Sequence, residues 1–165
     1  MGELRTKFAK LAEMCKAGGY DSFAIDDFHD LIQEQLIALE STPSLNTLEN
    51  EVFTDPSVDG YMIAFMRCCT GAYMKMHADE FSGFMPSSFA SVENFVRNEV
   101  DPMFKDCEEL QIVAITKVFK VPLSVVYLDR SPGEPAIHSF GHDGSLGSSP
   151  VWMLYRPGHY DLLYR

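Results

Sequence analysis

The chain has 165 residues, 46% of them hydrophobic and 22% charged, enough for one domain with a substantial core and too few for two ordinary ones. With 24 acidic against 13 basic residues and a formal charge of −11, it has no Lys/Arg stripe to replace phosphate counterions, which argues against nucleic-acid binding. No run reaches membrane-spanning length, and the N-terminal MGELRTKFAKLAEM is amphipathic where a secretory signal would be continuously apolar; a soluble protein of the cytoplasm, or also of the nucleus, is expected.

In LRTKFAKLAEMCKAGG, Leu4, Phe8, Leu11 and Cys15 recur every three to four residues and Gly18 with Gly19 supplies a stop, which predicts a first helix. A second is predicted from Asp26, a candidate N-cap, through Phe28, Leu31, Ile32, Gln35 and Leu36, until STPSLN breaks it. Asp55 with Pro56 is a start signal for a long helix, SVDGYMIAFMRCCTGAYMKM. Its few charges predict burial on most sides, and its Met and aromatic residues read as core packing in preference to an interaction face. Shorter helices are expected in SVENFVRNEV and CEELQIVAITKVFK. Asp106, Glu108 and Glu109 stand at the start of the latter, where carboxylates favour the dipole.

After Lys120 the texture changes. VPLSVVYLD is β-branched and aromatic and suits a strand, while RSPGEPAIHSFGHDGSLGSSP reads as loop, with AIHSF readable as a short strand inside it. VWMLYR and HYDLLY are predicted as two strands joined at Pro157-Gly158, a dipeptide that suits a type II turn. Helices up to residue 120 followed by a sheet over 121–165 make a single α+β domain of the whole chain.

On an extended strand His159 and Asp161, two residues apart, point to the same face. Three readings stand open at this point. The pair can be a catalytic imidazole with its orienting carboxylate, half of a metal site completed by His138 and His142, or a salt bridge near a sheet edge. The four cysteines show no C-x-x-C spacing, and Cys68 and Cys69 are adjacent in an apolar run, so reduced and mostly buried thiols are expected. None is a persuasive nucleophile. Cys15 sits at the negative end of its helix dipole, Cys68 and Cys69 read as buried, and Cys107 stands among three carboxylates that oppose its ionisation.

YRPGHYDLLYR, VYLDRS, EVDPMFKD and DGYMIAFMRCCTGAYMKMHADEF resemble the otubains, the branch of ovarian-tumour-type cysteine deubiquitinases assigned to peptidase family C65. FAKLAEMCKAGGYDSFAIDDFHDLIQEQL extends the resemblance over nearly the whole chain. The resemblance implies a papain-like, OTU-type fold with helices first and a mostly antiparallel sheet last. It further implies His159 as general base, Asp161 as the residue orienting it, no metal or cofactor, and a ubiquitin C-terminus joined to lysine as substrate. Ubiquitin or polyubiquitin is the implied partner, with a ubiquitin-conjugating enzyme as a second. One departure is severe: otubains carry their nucleophile in an Asp-Gly-Asn-Cys segment ahead of the matching region, and no such motif occurs in this sequence. A smaller one lies in CEELQIVAI, where otubains carry an Asp-His-Ile-His run. The expectation is therefore an otubain that starts late and is inactive as it stands. The alternative is a non-catalytic relative that binds ubiquitin or a conjugating enzyme without cleaving.

Overall fold

The computed structural model describes residues 2–41, 56–128, 132–141 and 149–164. Helix α1 (Gly2–Ala17) follows the three-to-four spacing and buries Leu11, Ala12 and Cys15. Gly19, at φ +84°, takes the left-handed conformation that ends it, and the Tyr20 amide bonds back to the Cys15 carbonyl.

Helix α2 (Ser22–Ser41) begins earlier than Asp26, the cap expected from sequence. The Asp21 carboxylate accepts the Ala24 amide at 2.9 Å, satisfying a first-turn N–H that has no intrahelical partner. Asp26 lies inside the helix and pairs with Lys16 of α1 at 2.7 Å. The break after α2 falls mostly at Thr42–Asn46 and the start signal at Asp55, both outside the described residues.

Helix α3 (Pro56–Met76) opens with proline in its first turn, where the missing N–H costs nothing. It divides into two stretches. Phe65, Cys69, Ala72 and Met74 are buried, but Tyr61 and Ile63 remain 46% and 45% exposed, so the first turns are amphipathic and not buried on most sides. Gly71 is required by crowding, because a Cβ there would strike the Tyr20 hydroxyl, which donates to Asp101 at 2.6 Å. A short helix the sequence reading did not anticipate, α4 (Ala78–Ser82), follows at once.

In α5 (Val92–Phe95) the Ser91 hydroxyl accepts the Asn94 amide, and the chain continues as a π-helical turn over Val96–Val100. Arg67 holds the end of that turn by donating to the Val100 and Lys105 carbonyls. These elements belong to one compact unit, Met1–Lys105.

The second unit, Asp106–Arg165, holds α6 (Glu109–Phe119) and the sheet. Glu108 is the N-cap but makes no side-chain cap bond, so the acidic cluster here supports α6 through its charge near the dipole. Lys120 closes the helix at φ +51°.

Strands β1 (Leu123–Tyr127), β2 (Ala136–Phe140), β3 (Val151–Arg156) and β4 (His159–Leu163) lie in the order β2-β1-β3-β4. Both outer pairs are antiparallel, as expected, whereas the central β1–β3 pair is parallel, which makes the sheet mixed.

The register sorts side chains by face. Leu123, Val125, Tyr127, Phe140, Met153, Tyr155 and Tyr160 pack with Ile112 and Val113 of α6. Their strand neighbours Leu154, Arg156, His159 and Asp161 take the other face. Among the described residues, no helix is long and apolar enough to cross a membrane.

Candidate functional site

The β3–β4 hairpin builds the site. Arg156 and His159 face each other across the two-residue turn Pro157-Gly158, and Gly158 takes φ +80°, a conformation that residues with a side chain rarely adopt. Beyond the turn β4 runs extended, which brings His159 Nε2 within 2.9 Å of Asp161 Oδ1. An ionised carboxylate can only accept, so Nε2 is the donor, and in the neutral ring the lone pair is on Nδ1.

The second carboxylate oxygen, Oδ2, accepts from Arg156 Nη2, also at 2.9 Å. The His159 and Asp161 side chains are 56% and 44% exposed, within reach of solvent and of another chain. The sequence reading did not single out Arg156. Its signal was the turn itself: a two-residue connection fixes the residue before Pro157 opposite the one after Gly158.

The hydrogen bond from His159, and after it the one from Arg156, holds the Asp161 carboxyl below the usual carboxylate range. Whatever Asp161 contributes to the hairpin is thus complete above the ordinary carboxyl pKa and fades as pH falls through the lower folded value. A carbon-detected titration of the Asp161 carboxyl should find its midpoint below the usual value, and His159→Ala should move it upward. A midpoint at or above the ordinary carboxylate value would contradict the hydrogen bond as the cause.

The other candidates fall elsewhere. His138, on β2, lies on the α6 face against Tyr127, ring centroids 4.4 Å apart; His142 is outside the described residues. Among the described residues no group of three or more His, Cys, Asp or Glu is placed to hold a metal ion.

None of the four cysteines is in a disulfide. Cys15 and Cys69 are buried with sulfurs 3.4 Å apart. Burial pushes the half-buried Cys68 thiol up to about 12. The hydrogen bond with Cys15, then burial, raises the Cys69 thiol. Cys107 stands beside Asp106, Glu108 and Glu109, the carboxylates expected around it. It is exposed and lines a cleft of about 180 Å³ together with Asp106, Glu108, Tyr127, Tyr155 and Tyr160. Those tyrosines belong to the sheet face opposite His159 and Asp161.

A family model described as Peptidase C65 Otubain matches residues 1–165. Ubiquitin thioesterase OTUB1 of Rattus norvegicus is 33% identical over 158 residues, covering 95% of this chain and 56% of the relative. The OVARIAN TUMOR DOMAIN-containing deubiquitinating enzyme 1 of Arabidopsis thaliana is 32% identical over 163 residues, covering 88% and 53%. The chain thus spans little more than half the length of these relatives. The solved structure described as "The structure of h/ceOTUB1-ubiquitin aldehyde-UBC13~Ub" superposes with a TM-score of 0.86 at 24% identity, covering 99% of this chain and 64% of that one. The fold is the α+β arrangement of helices followed by a four-stranded mixed sheet.

Proposed function

Because the chain belongs to the otubain family, peptidase C65, we propose that it carries the base half of a ubiquitin thioesterase and isopeptidase site, with His159 as general base and Asp161 as the residue that orients it. The observation that carries this reading is the 2.9 Å hydrogen bond from His159 Nε2 to Asp161 Oδ1. It leaves Nδ1 free to take the proton of a nucleophilic thiol. The thiolate then attacks the carbonyl carbon of the ubiquitin C-terminus. The carboxylate stabilises the imidazolium so formed, and the ring passes its proton to the leaving lysine amine or thiol. Relatives are named ubiquitin thioesterases, and a structural neighbour is described with ubiquitin aldehyde, which supports ubiquitin as the substrate.

The nucleophile of the family motif is not among these 165 residues; Cys15 and Cys69 are buried, Cys68 is half-buried with its thiol pushed up by burial, and Cys107 lies with the tyrosines of the sheet face away from His159. By itself the chain should leave a ubiquitin suicide probe unreacted. Joined to an otubain-type segment bearing Asp-Gly-Asn-Cys, it should cleave a fluorogenic ubiquitin substrate, with the probe on the supplied cysteine. Labelling of Cys15, Cys68, Cys69 or Cys107 in the chain alone, lost with His159→Ala, would overturn the assignment.

Binding without cleavage has its own observation. Phe23, 76% exposed, and Tyr61, 46% exposed, flank Phe28, whose ring is tilted against that of Tyr61 with centroids 5.6 Å apart. Asp27, Asp30 and Glu34 line the same groove. An apolar floor with a carboxylate rim suits a partner surface of apolar and basic residues. The neighbours described with UBC13~Ub and UBCH5B~Ub support a ubiquitin-charged conjugating enzyme in that role. Phe23→Ala should then weaken such binding roughly tenfold in calorimetric titration; an unchanged affinity would remove the groove from the interface.

A further inference from the structure

The roles of His159 and Asp161 leave Arg156 without one, although its guanidinium holds the second oxygen of the same carboxylate. An aspartate on an exposed strand has two side-chain torsions to satisfy, and water competes for both of its oxygens. A hydrogen bond to His159 alone leaves the carboxylate able to turn about that bond.

The arrangement here adds a second anchor from the neighbouring strand: Oδ1 accepts from His159 and Oδ2 from Arg156, each at 2.9 Å. Both anchors reach the carboxylate because the two-residue turn sets Arg156 directly opposite His159, on the face where Asp161 also stands. The arrangement is electrostatically consistent as well. Arg156 and a protonated His159 would be like charges across the strand pair, a destabilising combination that the anion between them relieves.

We propose that Arg156 is a positioning residue, which locks the Asp161 carboxylate in the orientation that keeps the proton on His159 Nε2 and the lone pair on Nδ1. The inference rests on the base role argued above. Among the contacts of the described residues, the charged groups meeting Asp161 are Arg156 from β3 and His159 from its own strand.

The guanidinium and carboxylate are 56% and 44% exposed, and such a pair contributes little to stability. That separates orientation from folding. Removing the guanidinium should leave the melt unchanged while altering the ring.

The test is a long-range nitrogen–proton NMR spectrum of the His159 ring, recorded on the isotope-labelled 165-residue chain at a pH where the ring is neutral. The wild type should show the Nε2–H tautomer. Arg156→Gln should show a mixture of both tautomers at an unchanged melting temperature, and Arg156→Lys should recover most of the single tautomer, since an ammonium can also donate to Oδ2. In the protein joined to the nucleophile-bearing segment, Arg156→Gln should lower kcat roughly tenfold with KM unchanged.

A wild-type tautomer pattern retained in Arg156→Gln overturns the positioning role, whatever the joined protein does. Failure of the joined wild type to cleave counts against the base assignment instead, while the tautomer comparison still decides the role of Arg156.

Discussion

His159→Ala in the protein joined to an otubain-type nucleophile-bearing segment should lower kcat/KM for a fluorogenic ubiquitin substrate by about a hundred- to ten-thousand-fold. In the proposed role the imidazole takes the thiol proton before attack and returns it to the leaving group, and alanine can do neither. Asp161→Asn should cost less, for a reason specific to this hairpin. The amide oxygen can still accept from Nε2, but the amide nitrogen then faces Arg156 Nη2, donor against donor, where Oδ2 now accepts at 2.9 Å. The amide is driven to flip in part of the population, presenting its NH2 group to the ring and favouring the wrong tautomer. Adding Arg156→Gln to Asp161→Asn should therefore raise activity above that of Asp161→Asn alone, since glutamine can supply the acceptor that arginine lacks. Steady-state rates on the four proteins decide this. Full activity in His159→Ala, with the cysteine shown by probe labelling to be accessible, would remove the base role altogether.

Phe65→Ala should destabilise the helical unit by about 3–5 kcal/mol, a large part of the 5–15 kcal/mol that holds an ordinary domain together. Phe65 is wholly buried in the middle of α3 and stacks on Phe8 of α1, ring centroids 6.1 Å apart. Deleting the ring removes both the apolar area taken from water and the contacts of the cavity wall. Phe104 is the internal control. It is fully exposed, so Phe104→Ala should stay within about 0.5 kcal/mol of the wild type. Denaturant titration should show a lowered midpoint with an unchanged slope for Phe65→Ala and no shift for Phe104→Ala. Equal midpoints for the two variants would contradict the burial of Phe65.

The contrast between these phenylalanines shows where reading the sequence stops. Phe65 lies in a long run at helical spacing; Phe104 sits in EVDPMFKD, where no periodicity says which way a side chain points. Periodicity reports a residue's neighbours within a few positions, because helices and strands repeat over that distance.

On that basis the sequence alone determined the main helices, the stop at Gly18-Gly19, the hairpin at Pro157-Gly158, and the shared face of His159 and Asp161. Each depends on local backbone geometry and on glycine or proline at a turn. Asp21 as the cap of α2 was also local information. Asp26 offers an equally good acceptor type five residues later, and only the Ala24 amide chooses between them.

The tertiary structure alone decided the rest. It paired β1 with β3 in parallel, placed His138 and the cleft around Cys107 on the sheet face away from His159, and left Tyr61 and Ile63 exposed on a helix that reads as buried. These outcomes depend on which distant segments meet. That choice is made by the summed burial and hydrogen bonding of the whole chain, for which no window of a dozen residues carries the information. The carboxylate at Asp161 joins both levels: its strand brings it to His159, and only the pairing of β4 with β3 brings it Arg156.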